Sequence, residues 1–170
     1  IAALARKICD LGTPESREVL RSTVEDDPDA RKRAKYCRIF ADGRGLDRVE
    51  LLKKFLADRV PDVRAAAAAT LGAPDALLTR FVATLATDPM PEVRKQAIGA
   101  LGRIATLEAV EPLIIVVERE KVEELKAAAI VALHRITDRN FGANPEAWRE
   151  WWRKHRAQDL TQVDRAITMG

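Results

Sequence analysis

The sequence has few aromatic residues, few cysteines and no long uncharged apolar stretch, and each shortage excludes a class of protein. Aromatic residues make up 5% of the 170 residues, and there are two cysteines, Cys9 and Cys37. Two isolated cysteines make neither a disulfide framework nor a zinc site, so we expect both to be small buried apolar residues. No window of about 18 uncharged apolar residues is present, so no membrane-spanning helix is predicted.

The chain carries many charged residues, but the excess of positive over negative charge is small. Lys and Arg number 29 and Asp and Glu number 26, which leaves a formal net charge of +3 at pH 7. Proteins dedicated to nucleic acids usually concentrate more positive charge on one face. At 47% hydrophobic residues the chain is too apolar for disorder, and its composition favours helices over strands. We therefore predict an all-α domain or short repeat array in which any functional charge is local.

Motifs that carry chemistry are absent. The two histidines, His134 and His155, have no second ligand at metal-binding spacing, and no metalloprotease, serine-hydrolase, phosphate-loop or dinucleotide fingerprint occurs. The glycines at 43 and 45 are interpreted as a turn between helices. Acidic pairs are explained by helix starts, where the dipole favours negative charge. We predict no catalytic residue, no metal and no cofactor, and a protein that is not an enzyme.

A repeated motif is the strongest pattern in the chain. A basic residue recurs every 30 to 33 residues, with an acid six positions before it, a proline three before it in the first three copies, and an alanine three after it. The proline and the acid beside it suit the first turn of a helix. Acids and bases at such fixed places are expected to pair between adjacent repeats. The aligned basic residues are Arg31, Arg64, Arg94 and Lys126, and the acids are Glu25, Asp58, Asp88 and Glu120.

A second set of segments with helical apolar spacing lies between the copies of the motif. The repeating unit is therefore a helix, a short turn and a second helix, and residues 1–11 are interpreted as the second helix of an incomplete earlier repeat. Two positions depart from the pattern: Arg38 stands where the other copies have a core leucine, and Glu123 replaces the proline. Hairpins of this size cannot bury their apolar face alone, so they stack into a solenoid. The segments that lie between the copies of the motif are 13–24, 45–57, 74–87 and 107–119.

The runs at 58–67 and 88–97 resemble the HEAT repeat in its short bacterial form, which is shared with the HEAT-like repeats of phycobilin lyase subunits. The resemblance implies a right-handed α-α superhelix of about four helical hairpins plus a terminal helix. It also implies an interaction scaffold, since the family consists mostly of scaffolds with diverse partners. We therefore expect a non-enzymatic protein that binds a partner protein along its concave face, as part of a larger chain or complex.

The resemblance implies that the second helix of each hairpin lines the concave face. In the repeat register, positions one, two and five after the aligned basic residue then point outward. This surface is rich in alanine and glycine in its middle and basic at one end, which suits close approach by a partner helix or an extended peptide. The predicted partner-binding residues are Lys32, Arg33, Lys35, Tyr36, Lys95, Gln96 and Arg103.

The most concentrated charge is the run 31–38, in which five of eight residues are basic. It is interpreted as a solvated face, or as a binding patch for an acidic protein surface or for phosphates. The alternative function is therefore nucleic-acid or phosphate-backbone binding through this patch, with a steep salt dependence. A lyase-like or chaperone-like subunit would need acids or cysteines on the concave face, and the register places none there.

All three tryptophans lie within five residues, after a turn-rich connector. Asn144 is predicted as the N-cap of their helix, with Pro145 at its first position. The Phe-Gly turn and the helix are similar to a terminal element of some bacterial HEAT-repeat proteins, which implies a hydrophobic cap on the last repeat. A docking patch for a partner and a base-stacking platform are the alternatives. The predicted cap residues are Phe141, Trp148, Trp151 and Trp152.

The last residues carry little pattern, and we expect a loose or partner-ordered tail there. The chain is thus divided into a repeat array at 1–137, whose first repeat is truncated, a capping segment at 138–156 and a tail at 157–170. The sequence names neither the partner nor the compartment.

Overall fold

The computed structural model describes residues 26–40 and 46–168, together with six isolated positions before residue 26. Within those residues the chain forms eight α-helices and two short 3₁₀ segments, and it has no strand. The predicted all-α class is therefore confirmed. The predictions for Cys9, for residues 1–11, for the turn at 43–45 and for most of segment 13–24 lie outside the described residues.

As predicted, helices formed by the segments between the motifs alternate with helices that carry the repeated motif. The 3₁₀ segments Ala73–Leu78 and Leu107–Ala109 lead directly into the fourth and sixth helices. The eight helices are α1 (Ala30–Phe40), α2 (Leu46–Leu56), α3 (Pro61–Ala69), α4 (Thr79–Leu85), α5 (Pro91–Ile104), α6 (Val110–Arg119), α7 (Glu123–Thr137) and α8 (Pro145–Thr168).

The helices pack as two rows, as a stack of helical hairpins requires. The odd-numbered helices α1, α3, α5 and α7 contact one another in order, and the even-numbered helices α2, α4, α6 and α8 do the same. The hydrophobic core lies between the rows, where Phe55, Leu101, Leu113 and Leu133 are almost completely buried. Neither row could bury this apolar surface without the other, which is the physical reason that hairpins of this length stack.

The starts of the odd-numbered helices explain the repeated motif. Helices α3 and α5 begin with Pro61 and Pro91 at the first helical position, after a residue with extended backbone. Proline suits this position because the missing N–H has no partner there in any case. Helix α7 begins at Glu123 in the same place and carries two acids in its first turn. The loss of the proline therefore leaves the fourth copy of the repeat intact.

Arginines join neighbouring hairpins by a repeated set of hydrogen bonds. Arg64 donates through Nε and Nη2 to the two carboxylate oxygens of Asp88, at 2.8 and 3.0 Å, and through Nη1 to the Asp58 carbonyl at 2.8 Å. Arg94 donates in the same way to Glu120, at 2.6 and 3.1 Å, and to the Asp88 carbonyl at 3.0 Å. The predicted pairing of acids and bases between adjacent repeats is therefore confirmed for these two copies. We call this series of contacts the arginine ladder.

The first contact of the arginine ladder is made by a different residue from the one predicted. Arg33, and not Arg31, donates to the Asp58 carboxylate at 2.7 and 3.0 Å and to the Asp27 carbonyl at 2.6 Å. The predicted alignment on Arg31, with Glu25 as its acid, is therefore wrong by two residues. The corrected series is Arg33, Arg64, Arg94 and Lys126.

The two-residue shift has a local cause at the start of α1. Pro28 lies before this helix, and Ala30 takes the first helical position that proline occupies in α3 and α5. Counted from Arg33, the core position seven residues later is Phe40, which is fully buried. Arg38, which the predicted alignment placed in the core, is exposed. Helix α1 therefore follows the pattern of the later copies, and its apparent exception came from the alignment.

The fourth copy ends this series of contacts within the described residues. Lys126 Nζ lies 3.1 Å from Glu123 of its own helix. An ammonium group lacks the planar fork with which arginine binds both oxygens of a carboxylate. Lysine at this position therefore does not reproduce the contact that joins the earlier hairpins.

The arginine ladder predicts an acid-dependent stability. Burial alone would raise the pKa of the Asp88 carboxyl, but hydrogen bonds from Arg64 and from the Met90 backbone N–H lower this pKa overall. A carboxyl with a lowered pKa stabilises the fold above its unfolded pKa, and the contribution is lost as pH falls through the folded pKa. We expect Asp88→Asn to lose roughly 3 kcal/mol of unfolding free energy at pH 7. We also expect the variant to be less sensitive to pH below about 4.

Urea unfolding followed by circular dichroism at a series of pH values tests this expectation. Asp62→Asn is the matched control, because this exposed carboxylate lies in the first turn of α3 and contributes only about 0.3–1 kcal/mol through the helix dipole. An Asp88→Asn variant that loses stability in acid as steeply as the native chain contradicts the assignment.

A second prediction concerns the end of α5. Ala105 closes this helix in the left-handed conformation, at φ 55° and ψ 38°, and its N–H donates to the Leu101 carbonyl at 3.0 Å. A non-glycine residue in this conformation costs about 1–2 kcal/mol, whereas glycine is the usual residue there. We expect Ala105→Gly to raise the free energy of unfolding by about 0.5–1 kcal/mol. Ala128→Gly, at an exposed position inside α7, should lower it by about 1 kcal/mol, and chemical denaturation of both variants compares the two.

Candidate partner-binding face

The odd-numbered helices share a solvent-exposed side. Counted from Arg33, Arg64, Arg94 and Lys126, the second and fifth positions are exposed or half-buried in all four helices. In α1, α3 and α5 this regularity follows from the arginine ladder, which sets these helices at the same rotation. We call this surface the odd-row face. Its members are Lys35, Arg38, Ala66, Ala69, Gln96, Gly99, Ala128 and Val131.

The middle of the odd-row face is formed by small side chains, as predicted. Ala66 is half-buried and Ala69 is exposed on α3, and Gly99 is half-buried on α5. On α7 the face becomes apolar, because Val131 is 67% exposed. The first position after the aligned residue is less regular than predicted, since Ala65 is buried. A backbone or helix can approach closely where side chains are this small.

The end of the odd-row face at α1 is basic. Lys35 and Arg38 are exposed, and neither forms an ion pair with a residue in the described ranges. Lys32 is exposed at the edge of the same helix, and its Nζ lies 4.0 Å from an Asp27 carboxylate oxygen. The Tyr36 hydroxyl donates to the same carboxylate at 3.2 Å. Arg31 is also exposed and has no ion pair with a described residue, so Arg31, Lys35 and Arg38 are cations of this end that are left for a partner.

Arg33 does not belong to this face. Its side chain is buried in the arginine ladder, where only 5% of the residue is exposed. The prediction of Arg33 as a partner-binding residue is therefore wrong, and the two-residue alignment shift is the reason. Arg48, which lies near the basic run in the sequence, is also buried: it donates to the Phe40 carbonyl at 2.9 Å and pairs with Asp75.

The predicted partner-binding residues on α5 divide into two kinds. Lys95 is exposed and has no ion pair among the described residues. Gln96 is half-buried, and its amide donates to the Glu92 carboxylate at 2.8 Å. Lys95 and Gln96 therefore lie on the surface, as the register predicts.

Arg103 has a role within the chain that the sequence did not suggest. Its Nε donates to the Leu71 carbonyl at 2.8 Å, and its Nη2 donates to the carbonyls of Ala68 and Ala69 at 3.2 and 3.1 Å. These carbonyls lie at or just after the end of α3, where helices leave acceptors unpaired. Burial, helped by the charge of Arg135, lowers the pKa of Arg103. Arg103 thus caps the preceding repeat while the residue stays exposed, and its assignment to partner binding stays a prediction.

The tryptophan helix is held by its first turn and by one buried indole. The Asn144 side chain accepts a hydrogen bond from the Ala147 N–H at 3.0 Å, which confirms the predicted N-cap. Trp148 is fully buried, and its indole N–H donates to the Gly142 carbonyl at 2.9 Å. Phe141 meets the Trp148 ring edge to face, with 4.9 Å between the ring centroids.

The other two tryptophans are half-buried against the core. Trp151 stacks on His155, with 4.9 Å between the ring centroids. Helix α8 packs on α6 in the even-numbered row. It continues to Thr168, past residue 157, where the predicted tail begins. The role of this helix as a terminal cap and the division of the chain at residues 137 and 157 stay predictions.

The titratable groups that the sequence singled out have ordinary structural surroundings. Cys37 is completely buried, and burial raises the pKa of its thiol to about 12, so the thiol stays protonated at neutral pH. His134 Nδ1 lies 3.0 Å from the Arg139 carbonyl. Among the described residues, no group of three or more His, Cys, Asp or Glu side chains could hold a metal ion. None of the described helices is long and apolar enough to cross a membrane.

A matched pair of variants tests the corrected register of α1. Arg33→Met leaves the largely buried Asp58 carboxylate without its bidentate partner, so we expect it to lose roughly 3 kcal/mol of unfolding free energy. Lys35→Met removes an equal charge from an exposed position and should change the free energy by less than about 0.5 kcal/mol. Thermal unfolding followed by circular dichroism compares them, and equal effects would argue against the shift.

The comparison with known proteins agrees with this geometry. A family model of HEAT repeats matches residues 49–134, which is just over half of the 170 residues and extends from within α2 to within α7. No curated protein matches the chain. HEAT repeats are commonly protein-interaction scaffolds, and the family is generally non-enzymatic. With its two rows of stacked hairpins and this match, the chain belongs to the HEAT-repeat family.

Proposed function

We propose that this protein is a non-enzymatic scaffold that binds a partner protein along the odd-row face, which we take as the concave side of the superhelix. One observation carries the proposal: four stacked helices expose the same two positions, and the cations among these residues have no partner among the described residues. Membership of the HEAT-repeat family supports it, because HEAT repeats are commonly interaction scaffolds.

The chemistry of the odd-row face favours an acidic helix or an extended acidic segment as its partner. Ala66, Ala69 and Gly99 let a backbone lie close to the surface, and Val131 offers apolar area that gains about 25 cal/mol for each Å² buried. Lys35 and Arg38 lie at the opposite end of the row of helices. Cations at one end and apolar area at the other give the partner one preferred orientation.

Nucleic-acid binding through the run 31–38 is the second candidate. Exposed Lys32, Lys35 and Arg38 favour it. Two features weaken it, since Arg33 is occupied in the arginine ladder and the next helices expose Asp62 and Glu92 close to their starts. These carboxylates repel a continuous phosphate backbone that extends along the row, whereas a protein segment can place a neutral or basic residue there.

Affinity capture with variants of equal charge tests the proposal. The native chain, a Lys35→Glu/Arg38→Glu variant and a Lys121→Glu/Arg139→Glu control are each used to capture partners from source lysate, with and without nuclease. Both variants make the same change in net charge, but the control residues lie outside the odd-row face. We expect one protein to be retained by the native chain and the control despite nuclease, and its affinity for the first variant to fall at least about 10-fold.

The outcomes separate the two candidates. Capture that nuclease abolishes, with a steep loss of binding as salt is raised, supports nucleic-acid binding and overturns the proposal. Retention of the same protein by all three chains places its binding site elsewhere on the molecule.

A further inference from the structure

A groove on the opposite row of helices has properties that the proposed function does not use. It lies between α6 and α8 and continues to α4, as two adjoining cavities of about 550 and 840 Å³. Both cavities are lined by Glu111, Ile115, Trp152 and Arg156, so they form one continuous depression. We call it the even-row groove. None of its lining residues belongs to the odd-row face.

The floor of the even-row groove is apolar. Ile115 and Pro112 of α6 and Trp152 of α8 line it, and each is half-buried. Leu107 extends this surface at the α4 end, where 42% of the residue is exposed. An apolar strip of this kind inside a groove favours a partner that contributes at least one apolar side chain.

The rim of the even-row groove is rich in arginine. Arg119, Arg149, Arg153 and Arg156 line the cavity between α6 and α8, and Arg80 lines the end near α4. These five cations exceed the carboxylates at the groove, which are Glu108 and Glu111 in its lining and Glu118 beside it. The local charge is therefore positive.

The arginines are only partly neutralised by the chain itself. Arg149 pairs with Glu118, and Arg156 Nη1 lies 3.6 Å from a Glu111 oxygen on a pair that is more than half exposed. Arg119 Nε is 3.9 Å from the Glu118 carboxylate, which Arg149 already engages. Arg153 is exposed and has no ion pair with any residue that the structure describes. Arginine forks of this kind bind carboxylates through two parallel hydrogen bonds.

A side chain that lines the even-row groove also carries an unsatisfied hydrogen-bond donor. The indole N–H of Trp152 is buried and has no acceptor within the described part of the chain. A buried N–H without an acceptor is unfavourable and rare in native structures. Because the Trp152 side chain lines the even-row groove, the resonance of this N–H reports on a segment that binds there.

We propose that the even-row groove binds an acidic, extended segment of a partner protein, with carboxylates on Arg119, Arg149 and Arg153 and an apolar side chain on the floor. The charge excess of the rim and the apolar floor together select this chemistry. A nucleic acid fits less well, because Glu108 and Glu111 oppose an unbroken series of phosphates and Trp152 is already stacked against Trp151. The scaffold then has two separate binding surfaces, one on each row of helices.

Fluorescence anisotropy with a defined probe tests the inference. The probe is a labelled short peptide that alternates glutamate and leucine, and a lysine–leucine peptide of the same length is the comparison. We expect the native chain to bind the glutamate peptide saturably and Arg153→Glu to weaken this binding at least about 10-fold. Arg153 is the residue to change because its side chain has no ion pair with a described residue, so its loss should not destabilise the fold.

A cross-control separates this inference from the proposed function. Lys35→Glu/Arg38→Glu alters only the odd-row face and should leave the affinity for the glutamate peptide unchanged, whereas Arg153→Glu should leave the partner of the odd-row face bound. The Trp152 indole N–H resonance, assigned by its absence in Trp152→Phe, should shift on titration with the glutamate peptide.

Four results would overturn the inference, of which the last is competition by a nucleic acid. The first is no saturable binding of the glutamate peptide, and the second is equal binding of the lysine peptide. The third is an affinity that Arg153→Glu leaves unchanged or that Lys35→Glu/Arg38→Glu lowers equally. Stronger competition by a single-stranded oligonucleotide of the same charge would assign the groove to nucleic acid instead.

Discussion

The bidentate arginine–carboxylate contact between successive hairpins is the constraint on which this array depends. A largely buried ion pair is favourable only when its geometry is good, because both charges have been removed from water. Arg64 and Asp88 meet this condition through two parallel hydrogen bonds, and the carboxylate also accepts the Met90 N–H of the following turn. A register slip of one residue would bury a charge without its partner. The contact therefore fixes the rotation of α1, α3 and α5, and with it the residues of these helices that face the solvent.

Local features of the sequence predicted the elements, whereas pairing over about 25 residues decided their register. Proline and an acid at a helix start are local signals, so α3 and α5 and the contacts of Arg64 and Arg94 follow from the sequence. The same signal was misleading at Pro28, because this proline precedes its helix. The contact of Arg33 with Asp58 in the next hairpin distinguishes the two alignments, as do buried Phe40 and exposed Arg38. The N-cap Asn144 was predictable for the same reason that the proline starts were.

Surfaces formed between helices were harder to predict from the sequence than surfaces formed along one helix. Exposed Lys35 and Lys95 follow from helical periodicity once the register is known. Arg103 is equally basic in the sequence, but its guanidinium caps the carbonyls of the preceding repeat, a contact over more than 30 residues. In the even-row groove, Arg149, Arg153 and Arg156 follow one another at helical spacing on α8, but only packing brings Arg80 of α4 and Arg119 of α6 to the same groove. Tertiary packing, and not local composition, decides which cations are left for a partner.

The scarce aromatic residues give the array built-in spectroscopic labels in the first and the last of the described helices. The single tyrosine of the sequence, Tyr36, lies in α1, and all three tryptophans lie in α8. In a solenoid each repeat contacts only its neighbours, so the two ends can lose structure at different denaturant concentrations. Tryptophan fluorescence therefore reports on the α8 end alone, whereas circular dichroism averages over every helix. The difference between their midpoints measures how far cooperativity extends along the stack of hairpins, without an added dye.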